Sequence, residues 1–177
     1  PLDCSQGNYV RMLRHRVWSL RCYPGGRMPT ILEQAAMLFS DDGWPIQIAS
    51  DDVLQTAYKG DSGQWMCHTY CWNDEGLIAF YSVCPISIPD GLRLQLSEFI
   101  TRANHNLVLG NFEMDFGSGE IRFKTSLGLE GTDFTEELWR PLVLSNISIM
   151  DRYLPGILAV VSGGKTPAQA IAHLESN

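Results

Sequence analysis

The spacing of apolar positions changes several times along the chain, and each change predicts an element. Ile31, Leu32, Ala35, Ala36, Leu38 and Phe39 recur at helical spacing. Thr30 followed by Glu33 is the signature of a capping box in front of them. Asp41-Asp42-Gly43 and then Pro45 end that helix. Ile46 to Ala49 alternates as a short strand, and Val53 to Tyr58 is another strand or the approach to one. Gln64 to Trp72 and Leu77 to Cys84 are stronger strands, joined across Asn73-Asp74-Glu75-Gly76. From Gly91 to Leu109 the period is helical again, through Leu92, Leu96, Phe99, Ile100, Ala103 and Leu107. Gly110 stands where a left-handed residue would close that helix. Thr132 or Asp133 is the expected cap of a long C-terminal helix, with Glu136 and Glu137 at its positive end. Its apolar residues occupy more than one side, and Pro141 and Pro155 are expected to kink it. Thr166-Pro167 opens a last short helix.

One hairpin carries enough pattern for a predicted register. Phe112, Met114 and Phe116 share a face of one strand, and Ile121, Phe123 and Thr125 share a face of the next. A two-residue Ser118-Gly119 turn would pair Phe116 with Ile121 and Met114 with Phe123. On the other side it sets Asp115 against Arg122 and Glu113 against Lys124. The apolar match and the charge match agree.

These elements specify one α+β domain with an antiparallel sheet of about five strands and helices packed on it, in the order α-β-β-β-α-β-β-α. The domain is expected over residues 27–177, preceded by an N-terminal extension, residues 1–26. The extension holds an arginine-rich stretch, Tyr9 to Tyr23, with Arg11, Arg14, Arg16 and Arg21.

Composition narrows the function classes. The chain has 177 residues, is 45% hydrophobic and only 19% charged, and its net charge is -7. A disordered segment would carry more charge, and a nucleic-acid binder would show a basic footprint. No apolar run reaches the length of a membrane helix. The five cysteines, with no secretory signal in front of them, read as reduced thiols in a cytoplasmic protein.

Candidate chemistry is sparse. Ala159 to Thr166 resembles a phosphate loop, but the first glycine is missing and Pro167 follows directly, so a capped helix start is the better reading. Cys67, His68 and Cys71 suggest a metal site only on a helix. On a strand the two cysteines lie roughly 13 Å apart, too far for one zinc ion. Cys67 faces Cys84 in one strand register and Ser82 in the other. The four histidines are scattered, and the acidic pairs Asp41-Asp42, Asp51-Asp52 and Asp74-Glu75 fall in caps and turns. Asn104 points toward the apolar stripe of its helix, where a buried amide must find partners; it reads as a structural clamp or a binding residue.

Both faces of the 64–84 strand pair are rich in apolar residues. Trp65, Ile78 and Phe80 share one face; Met66, Tyr70, Trp72, Leu77, Tyr81 and Val83 share the other. A dimer contact, a binding groove or a cover of N-terminal residues would each account for the second set.

The run Arg102-Ala103-Asn104-His105-Asn106-Leu107-Val108-Leu109-Gly110-Asn111-Phe112-Glu113-Met114-Asp115 resembles the YbjN-domain proteins of bacteria. So do Gly119 to Lys124 and Leu127-Gly128-Leu129-Glu130-Gly131, and the resemblance covers roughly residues 27 to 162. That family is described as sensory-transduction regulators, and its fold is similar to type III secretion chaperones, which are small acidic dimers that bind partner segments. The resemblance implies a homodimeric, non-catalytic regulator or chaperone-like module with a protein or peptide partner. No enzyme activity, cofactor, metal, nucleic acid or membrane is expected. Trp65, Tyr70, Trp72, Tyr81, Asn104 and Trp139 are the candidate partner-binding or interface residues. The alternative is a small-molecule-binding protein or enzyme with a pocket between helix 91–109 and the sheet.

Overall fold

The computed structural model describes residues 29–176; the arginine-rich N-terminal stretch lies outside the described residues. The described chain forms four α-helices and an open six-stranded antiparallel sheet. In order these are α1 (Ile31–Asp41), β1 (Ile46–Ser50), β2 (Val53–Lys59), β3 (Gln64–Trp72), β4 (Leu77–Val83), α2 (Arg93–His105), β5 (Asn111–Met114), β6 (Ile121–Gly128), α3 (Glu136–Val161) and α4 (Pro167–Glu175). Strand order across the sheet is β1-β2-β3-β4-β6-β5. The expected α+β class and element order hold. There are six strands rather than about five, because Ile46–Ser50 and Val53–Lys59 both enter the sheet.

Local chemistry sets the helix ends. The Thr30 hydroxyl accepts from the Glu33 N–H, and the Glu33 carboxylate accepts from the Thr30 N–H, closing the expected box. Thr166 and Gln169 do the same for α4, with Pro167 at its first position. The long helix starts later than expected: Thr135, not Thr132 or Asp133, accepts from the Leu138 N–H. Both internal prolines are accommodated within this one helix. Gly110 is left-handed as expected, but α2 ends five residues earlier at His105, so Gly110 turns the chain into β5. An added Cβ there would lie 2.4 Å from the Lys124 carbonyl, which glycine alone avoids.

The β5–β6 hairpin keeps the predicted faces but not the predicted register. Phe112 faces Phe123, Glu113 faces Arg122 and Met114 faces Ile121. The shift of two residues has a cause in Asp115. Its carboxylate accepts from the Gly117 N–H at 2.8 Å and from the Ser118 hydroxyl at 2.7 Å, and its backbone joins Glu120 and Gly119. Asp115 therefore builds an Asx-type turn instead of facing Arg122. The turn lengthens, and Phe116 leaves the sheet and is exposed.

All the described helices that touch the sheet pack on one face. Phe39 of α1 and Trp139 of α3 both lie against Phe80, and Tyr153 of α3 lies against Phe112. Leu54, Trp65, Cys67, Ile78, Phe80, Ile121 and Phe123 form the floor of this core. Burying each large side chain contributes roughly 1.5–3 kcal/mol. Asn146 sits at the centre of this layer. Its amide nitrogen reaches the carbonyls of Phe80 and Phe123 and the hydroxyl of Thr125, tying α3 to β4 and β6.

Candidate binding face

Period-two alternation sends the other half of each strand to the opposite side, where no described element covers it. Gln64, Met66, His68, Tyr70 and Trp72 of β3 alternate with the buried Trp65, Cys67, Thr69 and Cys71. The β3–β4 register sets His68 against Tyr81, Tyr70 against Ala79 and Trp72 against Leu77. Met66, Trp72 and Leu77 are 46%, 42% and 44% exposed, large apolar side chains on one continuous face. Tyr70 meets the Tyr81 ring edge-on at 5.4 Å and stacks beside Trp72 at 6.2 Å. The Arg122 guanidinium covers Tyr81 at 4.5 Å from the ring centre, a cation–π contact.

One edge of this face is charged. Glu113 of β5 accepts from Arg122 at 3.0 Å and also from Lys124 of β6. Burial alone would raise the Glu113 pKa, but these two hydrogen bonds outweigh it and hold the carboxyl below its ordinary value. The carboxylate is thus occupied structurally. An aromatic strip beside a fixed charged edge can hold an apolar segment, with Arg122 and Lys124 at its border.

His68 is half-buried in the strip. Burial, aided by Arg122 and opposed by Glu120, lowers its pKa below the ordinary 6.5. The unfolded chain then takes up this proton at a higher pH than the folded one, so acidification below about 6.5 favours unfolding. The melting temperature is expected to fall between pH 7.5 and 5.5, with a smaller slope in His68→Gln; equal slopes in the two proteins would contradict the assignment.

The predicted site residues divide. Tyr70, Trp72 and Tyr81 lie together on the open side of the sheet, with Trp72 exposed, Tyr70 half-buried and Tyr81 buried beneath Arg122. Trp65 and Trp139 do not: they are 3% and 2% exposed, packed against Tyr58 and Phe80 in the core, and they leave the candidate set. Asn104 is a clamp. Its amide donates to the Phe112 carbonyl at 3.1 Å and accepts from the Phe112 N–H at 2.7 Å, acting as a one-residue partner for the edge strand β5. Met66, Leu77 and Arg122 belong to the face and were absent from the predicted set; strand alternation with Tyr70, Tyr81 and Lys124 is the signal that places them.

The other motifs are structural. The backbone N–H groups of Gly164 and Lys165 both point to the Ala159 carbonyl, so the phosphate-loop look-alike is the turn between α3 and α4. Cys67 pairs with Ser82, its Sγ 3.6 Å from the hydroxyl, which settles the register against Cys84. Burial pushes the thiols of Cys67 and Cys71 up to about 12 and raises that of Cys84. Native treatment with iodoacetamide is therefore expected to leave these three unmodified in peptide mapping; rapid labelling of any of them would contradict the packing. Among the described residues no three His, Cys, Asp or Glu side chains are grouped to hold a metal. No described helix is long and apolar enough to cross a membrane.

No protein-family model matches the chain, and neither the curated proteins nor the solved structures contain a match to it.

Proposed function

We propose that the protein is a non-catalytic regulatory or chaperone-like module of the YbjN type, acting in the cytoplasm, that binds a segment of a partner protein on the open face of its sheet. The observation that carries this reading is the strip of exposed Met66, Trp72 and Leu77 with half-buried Tyr70, beside Arg122 and Lys124 and covered by no described element. Aromatic side chains and arginine are the residue types that dominate protein-binding surfaces. The competing reading, a pocket between α2 and the sheet, loses support because Asn104 spends both its polar atoms on Phe112. Affinity capture from native lysate on the immobilised full chain, with mass spectrometry, tests the proposal. A reproducible protein partner is expected; recovery of a bound small molecule without one would overturn it.

The same proposal includes a homodimer, formed through the solvent side of α3, where Pro141, Leu144 and Leu158 are exposed. Light scattering on the full chain is expected to give twice the 19.8 kDa chain mass. A monomer at high concentration would remove this part.

A further inference from the structure

The open face lies beside the point where the chain enters the domain. The Ile31 N–H donates to the side chain of Asn73, the residue directly after Trp72. The N-terminal segment therefore joins the domain at the β3–β4 turn, next to the exposed pair Trp72 and Leu77. That end of the sheet is acidic. Asp51 and Asp52 occupy the β1–β2 turn, and Asp74 and Glu75 the β3–β4 turn. Asn73 links the two turns by donating to Asp52. None of these four carboxylates pairs with a described cation.

Charge is divided along the chain in a way that answers this end. Residues 1–28 hold five arginines and one aspartate, a net +4. The rest of the chain holds eight Lys and Arg against nineteen Asp and Glu, a net -11, which together give the total of -7. The same N-terminal segment carries Val10, Leu13, Val17, Trp18 and Leu20, enough apolar surface to meet an aromatic strip.

We propose that Tyr9 to Tyr23 of the same chain docks on the open sheet face over Met66, Tyr70, Trp72 and Leu77, its arginines set against Asp51, Asp52, Asp74 and Glu75. The dimensions fit. Fifteen residues reach about 22 Å even at helical rise, enough to cover the roughly 20 Å from Met66 to Trp72 along β3. Residues 24–29 can extend about 20 Å, enough to round the end of a sheet whose layers lie about 10 Å apart.

The full chain with Met66 replaced by the photocrosslinker p-benzoylphenylalanine tests the contact. Isotopically light and heavy copies are mixed before irradiation, and crosslinked peptides are identified by mass spectrometry. Links from position 66 to residues 9–23, within light or within heavy chains only, are the expected result. Mixed light–heavy links, or no link to residues 9–23, would overturn the proposal. Changing Arg11, Arg14, Arg16 and Arg21 together to Glu is expected to cut the yield about fivefold, from four exposed charge pairs of modest strength. An unchanged yield would remove the charge argument and with it the proposal. Failure of the lysate capture with a positive crosslink would remove the partner, not the docked segment.

Discussion

Asn146→Asp is expected to lower stability by about 3–5 kcal/mol, the cost of leaving a buried charge unpaired. The wild-type amide nitrogen donates to the carbonyls of Phe80 at 2.9 Å and Phe123 at 3.1 Å and to the Thr125 hydroxyl at 3.2 Å. A carboxylate of the same shape would turn oxygen toward oxygen at all three. Thr125 has little freedom to compensate, since its own hydroxyl donates to the Leu142 carbonyl. The residue is fully buried, so water cannot take over. A loss of this size lowers the melting temperature by roughly 10 °C in a domain of this length. Asn146→Ala, which leaves the acceptors unpaired without repelling them, is expected to cost about 1–3 kcal/mol. A melting temperature for Asn146→Asp within two or three degrees of wild type would show that α3 is not held to β4 and β6 in this way.

The second large effect is of the opposite kind. Trp72→Asp with Leu77→Asp is expected to weaken partner binding at least about thirtyfold, the usual consequence of removing central aromatic and apolar contacts. Both side chains are more than two-fifths exposed, so the core is untouched, and the two facing aspartates are expected to cost the fold about 1–2 kcal/mol. Circular dichroism then stays near wild type, with melting lowered by only a few degrees, while binding fails. The pair of experiments separates what holds the domain together from what the domain presents.

How far the sequence carried these conclusions varies by element. The capping box at Thr30 and the helix start at Thr166-Pro167 were legible because they are local: a few residues and a hydroxyl decide them. The faces of β3 and β4 were legible because side chains alternate strictly, and Met66, Tyr70, Trp72, Leu77 and Tyr81 fell on one side as the pattern required. Register was harder. Parity was right for β5 and β6, but the pairing slipped by two because Asp115 formed a turn with its own neighbours. Opposite-charge pairing could not distinguish the two registers, since Glu113 can serve Arg122 across the ladder and Lys124 diagonally.

The candidate site was half legible. Aromatic character alone does not separate a contact residue from a core one: Trp65 and Trp139 line the core. Asn146 stands outside the predicted set. It is the one amide between Leu142 and Met150, a stretch whose other polar residues are Ser145 and Ser148, and only the packed structure shows it meeting backbone carbonyls. The cation–π cover of Tyr81 by Arg122 joins residues 41 positions apart and needs the sheet order to be seen.

The open sheet face is the surface proposed to meet the partner. Quantitative lysate capture with three full-length baits tests it most directly: wild type, Trp72→Asp with Leu77→Asp, and Leu94→Asp on the far side of the domain, where Leu94 is exposed on α2. One set of proteins is expected to be retained by wild type and Leu94→Asp and lost from the sheet-face variant, with all three baits folded by circular dichroism. Retention of that set by the sheet-face variant would contradict it.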